Sequence, residues 1–214
     1  MAKHGARDWY EDGVADHYRE HGSSYRNPHA PIIDRCLEIA ASRWMLDLDH
    51  VLDLAAGAGE FTLALSRASR LPLAPSLSPS REGRGVDPSP AKGQCNSLRI
   101  SACDAFTMRA FEAQTGLPCR QLTFEQIAAG ALRGQSFSLI GCSFAMHLCP
   151  TTLLPVLLLE LSQIARQLMI LSPHKRPIIR DGWGWRFVDS FTEERVHMRL
   201  LETTMELTTL SYET

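Results

Sequence analysis

The chain is short of several things, and each shortage closes off a class of protein. Its 22 Lys and Arg nearly balance 24 Asp and Glu, for a formal net charge of -2. No global field draws it onto nucleic acid, so only a local basic patch could make such a contact. No run approaches the ~18 consecutive apolar residues that a membrane-spanning helix needs, so no membrane partner is expected. The six cysteines, at positions 36, 95, 103, 119, 142 and 149, form no C-x-x-C pair. That spacing argues against a zinc site, and no metal is expected. Several of them sit inside apolar runs, which favours reduced thiols in a cytoplasmic protein over a disulfide frame. The opening Met-Ala-Lys-His-Gly has no apolar core of the secretory type. The pattern G-x-G-x-x-G is absent, which counts against a nicotinamide enzyme. No internal repeat is visible.

What is present is an ordinary globular composition, 44% hydrophobic and 21% charged over 214 residues. That length suits one well-buried domain over 1–214 and is too short for two large ones. The organising stretch is Val51-Leu-Asp-Leu-Ala-Ala-Gly-Ala-Gly-Glu-Phe-Thr62. Val51 to Leu54 reads as a short buried parallel strand. The chain then turns through Gly57 and Gly59 into Glu60 to Ser66, which has the apolar spacing of a helix. Small residues at such a turn let backbone approach a ligand with no side chain between. Asp53, at the strand end, is placed to accept hydrogen bonds from a cationic or hydroxylated ligand.

This stretch resembles the first motif of the Rossmann-like, class I S-adenosylmethionine-dependent methyltransferases, in which an acid precedes a glycine-rich turn. The family usually has glycine where Ala55 stands, so the pattern here is Asp53-x-Ala55-x-Gly57-x-Gly59. The resemblance implies an α/β, three-layer sandwich with a mostly parallel seven-stranded sheet, antiparallel strands at its carboxyl end and an N-terminal helical lid. It also implies S-adenosylmethionine as cofactor and S-adenosylhomocysteine as product.

The remaining elements follow in order. Residues 1–47 are expected to form the lid and 48–214 the core. Trp9 to Glu20 reads as a helix, Asn27 to Pro31 as a turn, and Ile32 to Leu46 as an amphipathic helix with Ile33, Leu37, Ala40, Ala41 and Trp44 on its apolar face. Three prolines and three serines in 71–84 point to an irregular insertion. Gly85-Val86-Asp87-Pro88 then reads as a second strand ending in an acid, and the resemblance puts Asp87 on the cofactor's ribose with Pro88 beside it. Leu98 to Asp104 reads as a third strand. By the same resemblance Asp104 takes the adenine amino group and Ala105 lies against the ring.

Thr123 to Gln126 has the look of a capping box. Phe137 to Cys142 reads as a strand leading to Ser143 and Phe144, which border the cofactor in the family. Thr152 to Gln167 reads as a helix and Leu168 to Ser172 as a strand. Trp185 to Asp189, Arg195 to Glu202 and Met205 to Tyr212 are candidate edge strands. Acids at the ends of successive strands converge on one crevice, because ligands of open α/β sheets bind at that edge.

Methyl transfer needs a general base only when the acceptor arrives protonated. His147, after the fourth strand, is the candidate base, and helix capping is the alternative role for it. Tyr18 and Arg26 are expected near the cofactor's methionine end, where a hydroxyl and a cation would hold its carboxylate. His174-Lys175-Arg176 offers a phosphate or acidic substrate two or three cations, and a solvated surface run is the alternative. A small-molecule acceptor is the preferred reading. RNA or protein acceptors, or a catalytically silent cofactor-binding or scaffold relative, are the alternatives.

Overall fold

The structure is a computed structural model that describes residues 27–75 and 97–206. Tyr18, Arg26, Asp87, Pro88, the expected helix over 9–20 and the expected strand over 85–89 lie outside the described residues, as does 207–214.

Helix α1, Ala30–Arg43, opens with Pro31 in its first turn and buries Ile32, Ile33, Cys36, Leu37 and Ala40. The expected stripe was nearly right. Ala41 is exposed, and Cys36 takes its place on the buried face. The helix stops at Arg43 because Trp44 turns extended, its indole packed inward.

Among the described residues eight strands form a single, mostly parallel sheet. They are β1 Val51–Leu54, β2 Leu73–Pro75, β3 Leu98–Asp104, β4 Arg120–Gln121, β5 Phe137–Ser143, β6 Ala165–Ser172, β7 Trp185–Glu193 and β8 Val196–Thr203. Their order is β2-β3-β1-β5-β6-β8-β7, with β4 also paired to β3. All pairings are parallel except those of β8 with β6 and β7. Two short strands, β2 and β4, are not among those read from the sequence. β2 lies inside the Pro/Ser-rich stretch read as irregular, where an edge position tolerates Pro75. β4 is only two residues long. Both flank β3 on its outer side, β2 against Leu98 to Ile100 and β4 against Cys103 and Asp104.

Helices α2 Glu60–Ser69, α3 Met108–Thr115, α4 Phe124–Ala128 and α5 Leu154–Ser162 complete the layers. Side chains alternate across a strand, and β1 shows the division. Val51 faces α1 and α2 with Ile33, Leu37, Phe61 and Leu65. Leu52 and Leu54 face the opposite layer with Ile127, Leu157 and Leu161. The strand before the C-terminal hairpin starts earlier than its apolar run suggested, at Ala165, and α5 ends correspondingly early, at Ser162. Gln167 explains the concealment. It is a polar residue in a buried strand, accepting the Asp47 N–H and donating to the Met45 carbonyl. Past β8, residues 204–206 are not a strand.

Candidate functional site

β1 lies between β3 and β5, so the chain leaves the sheet in opposite senses on its two sides. Such a switch point opens a crevice at the carboxyl ends of the strands. A cavity of about 610 Å³ occupies it, walled by Ala105, Phe106, Leu122, Phe124 and Ile127 among others. That size is within the range of small-molecule sites. A smaller recess of about 70 Å³ continues it toward Asn27, Gly57, Glu60, Ser143 and Phe144. Ala55, Asp104, Phe106, Ala145 and Leu148 line both.

The turn after β1 is built as its sequence suggested. Ala55 sits at a φ of +55° and Gly57 at +59°. Gly59, at +91°, caps α2, and a Cβ there would come within 2.5 Å of the Thr115 methyl. Gly59 lines neither cavity; it lets α2 and α3 approach. Alanine at a left-handed position carries strain that glycine would not.

Asp104 joins the two sides. Its Oδ1 accepts the N–H groups of Phe106 at 2.7 Å and Thr107 at 2.8 Å, and its Oδ2 accepts that of Gly57 at 3.1 Å. A carboxylate has about four acceptor positions, so one is left, on Oδ2, at the junction of cavity and recess. Thr107 adds a hydrogen bond from its hydroxyl to the Gly57 carbonyl.

Glu60 is a site residue to which the sequence reading assigned no role. Its Oε1 accepts the Asn27 N–H at 2.8 Å and its Oε2 the Ala58 N–H at 3.0 Å. The carboxylate thereby lines the recess and ties the segment entering α1 to the glycine turn. On the facing wall Phe144, at a φ of +54°, stacks on His29 with ring centroids 4.7 Å apart.

The remaining expected residues divide. Ala105, Ser143 and Phe144 border the crevice with Ala55, Gly57 and Asp104. Asp53 does not: it is wholly buried, facing α2, with Thr62 donating to its Oδ2 at 2.6 Å and, among the described residues, no hydrogen bond to its Oδ1. Burial pushes its pKa up to about 8, so it is mostly protonated at neutral pH. His147 is in a 3₁₀ turn, Met146–Leu148, and lines neither cavity. Burial and the neighbouring His174 bring its pKa down to about 4, which keeps the ring neutral. Trp185 packs in the core with its indole N–H on the Leu158 carbonyl. The Cys142 and Cys149 thiols are buried, and burial pushes that of Cys142 far above the range of a thiolate nucleophile.

No protein-family model matches the chain. An uncharacterized protein of Schizosaccharomyces pombe, C17A5.05c, is 30% identical over 201 residues, covering 86% of this chain and 81% of the relative. Among solved structures, a magnesium protoporphyrin IX methyltransferase from Synechocystis PCC 6803 with bound S-adenosylmethionine is similar at a TM-score of 0.51 and 13% identity, covering 92% of this chain and 93% of that one. An O-methyltransferase family protein from Burkholderia thailandensis gives a TM-score of 0.55 at 12% identity, covering 92% of this chain and 59% of the other. The chain belongs to the family of the fission-yeast protein, and its fold is that of the Rossmann-like S-adenosylmethionine-dependent methyltransferases.

Proposed function

We propose that the chain transfers a methyl group from S-adenosylmethionine to a small-molecule acceptor. The observation that carries this reading is the crevice at the carboxyl ends of β1, β3 and β5, with the Asp104 carboxylate at its junction. When bound, the cofactor supplies an electrophilic methyl group on a sulfonium, so the protein's work is orientation and exclusion of water.

The chain's residues suit the parts of such a ligand. An acid at the end of the strand beside β1 is the ribose acceptor in Rossmann-like folds. β3 is that neighbour, so Asp104 takes the ribose through the free position on Oδ2. Ala105, Phe106, Phe124 and Ile127 give adenine an apolar slot. The Glu60 carboxylate faces the recess, where it would hold the ammonium of the methionine end, and Ala55 and Gly57 leave room for backbone approach. Asp53 then supports the turn from beneath through Thr62. His147 has no place in the reaction when the acceptor atom already carries a free lone pair.

The small-molecule preference is supported by the near-zero net charge, which gives no general attraction for a polyanion. Calorimetry with S-adenosylmethionine, S-adenosylhomocysteine and NAD tests the cofactor. Micromolar binding of the first two, abolished by Ala105→Trp filling the cavity, is expected. Binding of NAD alone, or of none, overturns the reading. Release of S-adenosylhomocysteine with the low-molecular-mass fraction of a cell extract, and not with its RNA or protein fractions, is the expected acceptor result.

A further inference from the structure

The turn that follows β6 is fixed from both sides. Ser172, wholly buried at the strand end, donates its hydroxyl to the Arg176 carbonyl at 2.7 Å and accepts the His174 N–H at 3.3 Å. From β8, Arg199 donates to the carbonyls of Pro177 at 2.5 Å and Arg176 at 3.2 Å. The backbone is thus held while the side chains of His174, Lys175 and Arg176 stay exposed in a row. His197, the β8 register partner of Ser172, lies close enough to Lys175, Arg199 and His174 for their charge to add to burial in lowering its pKa.

Two further features make this more than a solvated basic run. Among the described residues no carboxylate pairs with Lys175 or Arg176, whereas Arg43 and Arg67 each meet one and Arg35 meets two. The turn also adjoins the crevice. The His147 ring stands edge-on to that of His174 with centroids 5.8 Å apart, and its buried Nδ1 has no hydrogen-bond partner among the described residues. His147 lies between Ala145 and Leu148, both of which line the cavity and the recess.

We propose that His174, Lys175 and Arg176, with His197 behind them, bind the anionic group, phosphate or carboxylate, of a small acceptor whose other end reaches the recess. This deepens the methyl-transfer reading and rests on it for the word acceptor; the anion site itself rests on the turn. A rigid turn loses little entropy on gripping an anion, and the unneutralised cations are worth most to a ligand that brings its own negative charge.

Inorganic phosphate and malonate are the probes, titrated into the full chain while the ring resonances of His174, His197 and His147 are followed by NMR. Sodium chloride at matched ionic strength serves as the control. Saturable shifts at millimolar probe, at least tenfold weaker in the Lys175→Gln, Arg176→Gln double variant, are expected; phosphate binding tighter than malonate, or the reverse, names the group. Shifts no larger than those in chloride, or unchanged in the double variant, overturn the proposal. Tighter binding of a single-stranded RNA oligonucleotide with steep salt dependence, phosphate having no effect, also overturns it in favour of a polyanion. S-adenosylmethionine calorimetry on the same wild-type sample separates the two readings. Cofactor binding without phosphate binding sinks only the anion site, and the reverse sinks only the methyl-transfer reading.

Discussion

The Oδ2 of Asp104 accepts the N–H of Gly57 at 3.1 Å, tying the end of β3 to the turn after β1. The same carboxylate holds the turn that leads into α3 through the Phe106 and Thr107 N–H groups. One side chain therefore sets the spacing of the crevice walls. Hydrogen bonds to a charged acceptor contribute about 1.5–3 kcal/mol each, less than additively. Asp104→Ala is expected to cost about 3 kcal/mol in urea unfolding, and Asp104→Asn, which keeps one carbonyl acceptor, about half of that. Equal stability of all three proteins would remove Asp104 from this structural role.

How much of this was legible follows from what spacing encodes. The turn around Gly57 and Gly59 could be read because a buried strand, small residues and a helical repeat occur together. The capping box at Thr123 could be read too, and both reciprocal hydrogen bonds are present. The place of Asp104 beside β1 could not. Strand order is a tertiary choice, and β2 is three residues hidden in a proline-rich stretch. Glu60 escaped because an acid in the first turn of a helix is already accounted for by the helix dipole. The eventual neighbour that gives it another role, Asn27, is 33 residues away.

Asp53 makes stability depend on pH in a definite direction. Its folded-state pKa of about 8 stands above the ordinary 3.8, so between those values the folded protein holds the extra proton. Stability from this group is complete below about pH 4 and is lost as pH rises through 8, at up to about 1.4 kcal/mol per pH unit. Asp53→Asn cannot titrate. Urea midpoints of wild type and variant from pH 5 to 8.5 should diverge, the wild type falling relative to the variant as pH rises. Parallel curves would mean that Asp53 is not held protonated.

Gly141, in the middle of β5, faces the ring of Phe61 so closely that an added Cβ would lie 2.0 Å from its Cζ. Overpacking of this kind costs about 1–3 kcal/mol where the neighbour cannot move. Phe61 is wholly buried, so Gly141→Ala should fall at the upper end. Phe61→Leu in the same chain should recover part of that loss, giving a favourable coupling energy in a double-mutant cycle. Simple additivity would show that the contact is absent.

Ala55 and Phe144 directly follow the adjacent strands β1 and β5, and both are non-glycine residues in left-handed conformation at the wall of the recess. At Ala55 the strain is worth about 1–2 kcal/mol, against a loss of about 0.4–1 kcal/mol for the freer unfolded chain of glycine. The first term is larger, so Ala55→Gly should raise stability by about 0.5–1 kcal/mol, seen as a higher thermal midpoint. A lower midpoint would place Ala55 outside the left-handed region.

Phe144 poses the same contest with a side chain at stake. Its ring stacks on His29, an interaction worth about 0.5–1.5 kcal/mol beyond the area it buries. Phe144→Ala loses that stack and keeps the strain, whereas Phe144→Gly loses the stack and relieves it. At an ordinary position glycine would be the less stable of the two by up to about 1 kcal/mol, because its unfolded chain is freer. Here the left-handed backbone reverses the order, and Phe144→Gly should be at least as stable as Phe144→Ala. Both should weaken S-adenosylmethionine binding, since each opens the recess and frees the segment that carries Asn27 and His29. Calorimetry and urea unfolding on the pair separate the two effects. Loss of affinity in both, with stability ranked glycine above alanine, assigns the ring to the ligand and the backbone to the turn. The opposite ranking would mean that the strand end is unstrained and that His29 alone holds Phe144 in place.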